Sequence, residues 1–161
     1  MNYRADPFGA ACLEQAVKSK GSMAFGAVLV QGNRIVGRGW NRRSTPVERS
    51  RLRGVDYSIH AEQACVLDAL DHHHKATRGR VYVLGYAPAG PNKGQLSVRD
   101  SPAFTCRKCP HTLRQYQLTV MIPTPEGWVE MSPIAAMQSA QSHLNHWQNF
   151  VAGRTRCPTT T

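Results

Sequence analysis

Apolar positions along this chain change period in an order that predicts alternating helices and strands. Asp6-Pro7 reads as an N-cap and first helical residue. Phe8, Cys12, Leu13, Ala16 and Val17 then recur at helical spacing, which predicts a helix to about Ser19. Phe25-Gly26-Ala27-Val28-Leu29-Val30 is a short run rich in β-formers. Gly32-Asn33 turns it back into Arg34-Ile35-Val36-Gly37-Arg38-Gly39-Trp40, a hairpin. Residues 42–58 are polar and are expected to be irregular. A second helix is expected from near His60, with Ala64, Cys65, Leu67, Ala69 and Leu70 on or near its buried side. Val81-Tyr82-Val83-Leu84 reads as a third strand. The stretch from Ala87 to Thr105 is rich in Gly, Pro and Asn and predicts a long structureless loop, a kind that is uncommon and often functional. A third helix is expected from Cys106 to about Tyr116, a fourth strand over Leu118-Thr119-Val120-Met121-Ile122, and a short strand at Trp128-Val129-Glu130-Met131. Ser132-Pro133 opens a last helix with Ile134, Met137, Ala140, Leu144, Trp147 and Val151 on one stripe. Hairpin strands followed by alternating strands and helices predict an α/β protein, a mixed sheet with helices on both faces.

At 161 residues, the chain is long enough for one domain with a real core. No internal repeat or linker divides it, so one domain is expected over residues 1–152, with residues 153–161 as a loose tail. A hydrophobic fraction of 41% fits a globular protein. No apolar stretch is long enough to span a bilayer, and Met1 to Asp6 lacks the apolar region of a signal peptide. A cytoplasmic protein with no membrane partner is expected. Five cysteines, an odd number, argue against a disulfide framework. Cys12 and Cys65 are expected as buried free thiols, and Cys157 lies in the polar tail. Lys and Arg number 20 against 10 Asp and Glu, a net charge of +10. Two readings of that charge stand: a soluble basic surface, or an anionic partner, either a nucleotide phosphate or a nucleic-acid backbone.

Candidate chemistry is concentrated in His60-Ala61-Glu62 and Cys106-Arg107-Lys108-Cys109. Two thiolates and one imidazole hold a Zn²⁺ ion, one per chain, and leave a fourth tetrahedral position open for water. The Glu62 carboxylate is then free to move protons. Both motifs are expected where a helix begins, and the positive end of a helix dipole eases thiolate formation there. Two thiolates offset the charge of zinc, so its water is acidified less than in an all-histidine site and a nearby base is more useful. Residues two apart in mid-helix face different directions. In a looser first turn, His60 can reach the metal while Glu62 reaches the water. A structural zinc is the alternative, but a closed site needs a fourth protein ligand, and Cys65 lies more than a helical turn past His60. His72-His73-His74 reads first as a solvated helix C-terminus. His111 is open between lining the site and an exposed helix position.

With these residues in this order, the chain resembles the cytidine/deoxycytidylate deaminase superfamily, which also includes the tRNA adenosine deaminases. The resemblance rests on Phe25-Gly26-Ala27-Val28-Leu29-Val30, Gly39-Trp40-Asn41, His60-Ala61-Glu62 and Cys106-x-x-Cys109, and covers roughly Phe8 to Ile122. It implies the three-layer α/β/α fold of these deaminases, zinc on His60, Cys106 and Cys109, and Glu62 as proton shuttle. In the family reaction the carboxylate takes a proton from the activated water and passes it to the ring nitrogen. The ring carbon bearing the amino group, C4 in cytosine, is attacked, and ammonia leaves protonated. Asn41 maps to a contact with the substrate sugar or base, and Phe25, Gly26, Ala27 and Ala61 complete the implied substrate-binding set with Arg42 and Arg43. Backbone N–H groups of Ala61 and Cys106 are implied holders of oxygen atoms. Thr105 stands where the family pattern has Pro and removes no ligand. The Ala87–Thr105 stretch is longer than the usual connection and leaves substrate identity open.

The gap from Asn41 to His60 is longer than in tRNA adenosine deaminases and is similar to that of the deoxycytidylate branch. Residues 42–59 contain neither Cys nor His, so no second zinc is expected there. They do contain Arg42, Arg43, Arg49, Arg51 and Arg53, and arginines clamp phosphates in a bidentate way. Trp40, Tyr57 and Phe104 are either core residues or surfaces on which a base stacks. The first functional expectation is hydrolytic deamination of a dCMP-like cytosine nucleotide. The second is deamination of cytosine or adenine within single-stranded DNA or RNA. The third is a non-catalytic zinc protein that binds nucleotides or nucleic acid, against which Glu62 argues. The expected partners are a nucleotide and further copies of the chain in a homo-oligomer.

Overall fold

The fold is built on strands whose two faces are both covered. The computed structural model describes residues 1–22, 24–72, 74–98, 106, 108–139 and 151–153. Strand β1 is Ala24–Gln31, and β2 is Arg34–Trp40. Two further core strands are β5 (Arg80–Tyr86) and β6 (Thr119–Thr124), and β7 spans Gly127–Met131. Among the described residues they form a sheet in the order β2-β1-β5-β6-β7. Only β5 and β6 run parallel; the other neighbours are antiparallel.

The period of two along each strand sorts side chains between two cores. Ala27 and Leu29, Val81 and Val83, and Val120 and Ile122 join one buried cluster. Val28 and Val30, Tyr82 and Leu84, and Met121 join the other. Strands buried on both faces therefore read as near-continuous apolar runs. The second cluster is covered by helix α1, Pro7–Ala16. Its N-cap carboxylate, Asp6, accepts the Gly9 N–H at 2.8 Å and the Trp128 indole N–H at 3.0 Å, tying the helix to β7. The helix stops short of Ser19, with Val17 as its C-cap and 56% exposed. Val17 thus lies off the apolar stripe on which its spacing placed it.

The first cluster lies under α3 (Ala61–Asp71), α4 (Cys109–Gln115) and α5 (Pro133–Ser139). Helices on both faces of a mixed sheet give the expected three-layer α/β/α arrangement. Helix α3 rests directly on β2. A β-carbon at Gly37 would meet the Cys65 carbonyl oxygen at 2.1 Å, and one at Gly39 would meet the Cys65 nitrogen at 2.4 Å. Glycine at both places lets the backbones touch and sets α3 antiparallel to β2.

Two segments expected to lack structure are ordered by local bonds. Within residues 42–58 the chain forms β3 (Arg42–Arg43), helix α2 (Pro46–Arg51) and the start of β4 (Ser58–Ile59). Thr45 and Glu48 cap α2 reciprocally, and Pro46 opens it. This unit packs Leu52, Val55 and Ile59 against Ala64 and Leu67 of α3. After β5, residues 87–98 fold back on the sheet. Ala87 N–H donates to the Gln95 carbonyl at 3.0 Å, and Ser97 N–H to that of Gly85 at 2.8 Å. Leu96 and Val98 then join the α1-side core. Phe104, Thr105, His73, Ala140, Leu144, Trp147, Cys157 and the tail 154–161 lie outside the described residues. Among the described residues no helix is long and apolar enough to cross a membrane.

Gly26 is the tightest contact between the layers. A β-carbon there would sit 1.8 Å from the Cys12 carbonyl oxygen and 2.6 Å from the Ala16 nitrogen, both backbone atoms of α1. Gly26→Ala is expected to cost about 3 kcal/mol of unfolding free energy or to prevent folding. Gly32→Ala has open space but a φ of +60°, and is expected to cost about 1 kcal/mol. Urea unfolding of the two variants checks this; equal losses would contradict the close packing of α1 on β1.

Candidate metal centre and active site

His60 is placed by being the residue just outside a helix. As N-cap of α3 it is extended, with φ −84° and ψ 158°, so its ring is freed from the direction that helical geometry imposes on the residues after it. Its N–H is held by the side-chain oxygen of Gln63 at 3.1 Å, and its carbonyl accepts the Ala64 N–H at 2.9 Å. Strand β4 immediately precedes it and pairs with β3, Ile59 opposite Arg42. That two-stranded ribbon brings Asn41 and His60, nineteen positions apart in the chain, to the same end of the molecule.

The cysteine pair comes from the segment that enters α4. Cys109 is the first residue of that helix and Lys108 its N-cap, so the helix starts three residues later than expected and Cys106 lies ahead of it. The Cys106 sulfur accepts backbone N–H bonds from Lys108 at 3.3 Å and Cys109 at 3.1 Å. Cys106 lies outside α4, and the helix reaches its sulfur through the N–H of its first residue, Cys109. The Lys108 ammonium pairs with Asp56, which fastens this segment to the 42–59 unit.

The three donors converge. His60 Nδ1 is 2.9 Å from Cys106 Sγ and 3.5 Å from Cys109 Sγ, and all three ligand atoms lie within 4.8 Å of one another. Both cysteines are buried. Hydrogen bonding from Cys109, with a further contribution from His60, lowers the Cys106 thiol to about 5 against the opposing effect of burial. Its interaction with Cys106 lifts His60 to about 9. Burial pushes Cys109 up. A divalent cation replaces these protons and neutralises both sulfurs at once. Two thiolates and one imidazole, with no carboxylate among them, form a donor set that suits zinc.

The fourth position is not closed by a described protein group. Cys65 is buried and its thiol bonds to the Glu62 carbonyl at 3.0 Å, away from the cluster, and His111 is exposed. Glu62 itself, the second residue of α3, is 4% exposed. Its carboxyl interacts with the Cys109 thiol, and burial, reinforced by Cys106, lifts it to about 7 against the pull of His60.

The remaining expected site residues divide. The Asn41 side-chain oxygen accepts the Phe25 N–H at 2.8 Å, which fixes the amide where β2 ends and β1 begins. The Phe25 ring packs on the metal-side core and occupies the space beside Gly85, where a β-carbon would lie 2.7 Å from it. Ala27 lies deeper in that core. Gly26 faces α1 on the opposite side. Ala61 is the first residue of α3, so its N–H has no acceptor within the helix. Arg42 is committed to Glu48 by two bonds of 2.8 and 2.7 Å, which hold that carboxylate down at about 2. Arg43 is exposed. Trp40 is half-buried with two cations near its ring, Tyr57 is 84% exposed with Arg49 against it, and His72 is exposed beside Asp68. Gln63, Glu48, Asp56 and Lys108 were not anticipated. Thr45-Pro46-x-Glu48 carried a readable capping signature, whereas the Asp56–Lys108 pair joins distant segments and leaves no local signal.

A family model described as the cytidine and deoxycytidylate deaminase zinc-binding region matches residues 6–122. No curated protein matches the chain by sequence. Among solved structures, the dCMP deaminase of cyanophage S-TIM5 in its apo form is 13% identical, with a TM-score of 0.50, covering 83% of this chain and 90% of its own. The same enzyme in complex with dCMP and dUMP is 17% identical, with a TM-score of 0.47, covering 70% and 74%.

Metal-loaded protein is expected to contain about one zinc per chain by elemental analysis. Cys109→Ala should reduce that content to well below half under mild chelation, and Cys65→Ala should not. Equal zinc loss in both variants would contradict the ligand set.

Proposed function

The chain belongs to the cytidine and deoxycytidylate deaminase family, and from that premise we propose that it hydrolyses the 4-amino group of a cytosine mononucleotide, dCMP-like, to give the uracil form and ammonia. The observation that carries the reading is a buried carboxylate, Glu62, beside a three-donor metal cluster whose fourth position has no protein ligand among the described residues. A structural site needs no such carboxylate. Bound at His60, Cys106 and Cys109, zinc supplies an acidified water as the nucleophile.

The chain's own residues do the rest. Glu62 lies beside Cys109, within reach of a group held at the cluster, and its burial keeps its proton affinity in the range a shuttle requires. It takes the proton of the water and gives it to the ring nitrogen; it then carries the proton of the new C4 hydroxyl to the amino group, which leaves as ammonia as the C4 carbonyl forms. The Ala61 N–H, unused by the helix, receives the ring carbonyl oxygen. Asn41, fixed through Phe25, orients the sugar, and Phe25 lines the base. Arg43 is the member of the arginine pair available to a phosphate, since Arg42 holds Glu48.

One observation favours a second reading, deamination within a single strand. Tyr57 lies three positions before His60, is 84% exposed and has the Arg49 guanidinium 5.4 Å from its ring. Arg49 is itself held by the carbonyl and hydroxyl of Ser44. A ring that open cannot enclose the reacting base, but it can stack on a neighbouring one.

Glu62→Gln is expected to keep the fold and the zinc while lowering dCMP turnover by roughly 10²–10⁴ or more. Near-normal turnover in the metal-replete variant would contradict the shuttle. Binding of single-stranded DNA and RNA across a salt series separates the two readings. A strand-directed enzyme shows a log–log slope of about −0.7 per phosphate contacted, lost in part in Tyr57→Ala, and converts oligonucleotides better than dCMP. A mononucleotide enzyme shows weak, unproductive strand binding.

A further inference from the structure

A phosphate on the substrate needs cations whose charge is not already matched. Arg42 pairs with Glu48, Arg51 with Asp71 and Lys108 with Asp56. In the connection from α1 to β1, among the described residues, no carboxylate lies within ion-pair distance of Lys18 or Lys20. Both are exposed. Lys18 is nonetheless held in place. Its ammonium donates to the side-chain oxygen of Gln15 at 3.1 Å, and Gln15 is a neutral residue only 1% exposed. The same ammonium lies 5.0 Å from the Trp40 ring centroid, with the Arg42 guanidinium 5.6 Å from that ring. Trp40 immediately precedes Asn41.

The fold puts this connection at the site's edge of the sheet. The last turn of α1 is pressed on β1 at Gly26, so residues 17–22 run to the point where β1 begins. Gly39, near the end of β2, touches Ala61 and Ala64 of α3, while Gly37 touches Cys65 and Ala69. The His60 end of α3 therefore meets the sheet where β2 ends and β1 begins, the edge that Asn41 and Phe25 stitch together at 2.8 Å.

We propose that Lys18 and Lys20 are specificity-determining residues that take the phosphate of the substrate at this edge, with Gln15 and Trp40 holding Lys18 in position. This rests on the reading of the site as one for a cytosine nucleotide. Phosphate recognition is then shared between the α1–β1 connection and Arg43, the exposed arginine after β2 that holds no carboxylate among the described residues. The phosphate is the 5′-phosphate of a free nucleotide or a backbone phosphate of a strand, and the chemistry of recognition is shared.

The test compares the zinc-loaded protein with Lys18→Ala/Lys20→Ala and the charge-retaining Lys18→Arg/Lys20→Arg. Turnover and calorimetric binding are measured with dCMP, deoxycytidine and a cytosine-containing single-stranded oligonucleotide. The alanine pair is expected to lower the dCMP to deoxycytidine ratio of kcat/KM by about 10- to 100-fold, chiefly through KM, with the arginine pair retaining most of the preference. Loss confined to the oligonucleotide assigns the lysines to a backbone phosphate. An unchanged ratio, with oligonucleotide turnover also unchanged, overturns the proposal. Lysine-dependent binding of dCMP without its deamination would keep the phosphate site and sink the dCMP-deaminase reading. Deamination of dCMP that ignores the lysines does the reverse, and binding of none of the three ligands sinks both.

Discussion

Three ionisable side chains, Glu62, Cys106 and Cys109, are buried from bulk water beside a half-buried fourth, His60, and the local structure is arranged around that fact. Moving an ion from water to a protein interior costs several kcal/mol even after relaxation. The cluster reduces the cost by mutual contact: the imidazole lies 2.9 Å from one sulfur, and that sulfur accepts two backbone N–H bonds. A bound cation completes the compensation that these contacts begin. Glu62 is the residue whose burial serves no packing purpose. It is too polar to stabilise the core and too close to the cluster to be a surface accident, so its position makes sense as chemistry.

The geometry of the cluster follows from small backbone decisions. An extended N-cap turns His60 away from the direction in which α3 carries Glu62, which resolves how residues two apart serve one centre. Glycines 37 and 39 let α3 lie on β2 and set the depth of His60 relative to Asn41. The 42–59 unit acts as a strut: its ribbon leads into His60, and Asp56 reaches the cysteine segment through Lys108. Asn41 and Phe25 close this edge of the sheet together, the Phe25 N–H donating to the asparagine side-chain oxygen.

Much of this was legible in the chain because it is local. The alternation in Val28-Leu29-Val30 and Tyr82-Val83-Leu84 announces strands buried on both sides, and the Asp6-Pro7 cap announces α1. The convergence of His60, Cys106 and Cys109 was readable because metal chemistry restricts residue type and spacing. What was misread has little apolar periodicity. Helix α2 is held by a cap and by the Arg42–Glu48 pair, with no buried residue of its own. Residues 87–98 return to the sheet on two apolar side chains, Leu96 and Val98, too few to show a period. The late start of α4 was signalled by Pro110, which favours the first turn of a helix, but Cys106 drew the boundary forward. That Arg42 is spent on Glu48 while Lys18 is not depends on pairings that only the folded chain displays.

We propose that His60, Cys106 and Cys109 are the whole protein ligand set and that the fourth position belongs to an exchangeable group. Zinc K-edge X-ray absorption of the metal-loaded protein measures this directly. The account predicts two sulfur scatterers at about 2.3 Å and two light scatterers near about 2.0 Å, with only one showing the outer-shell signature of imidazole. A third sulfur, or a second imidazole, would mean a closed structural site and would contradict the account.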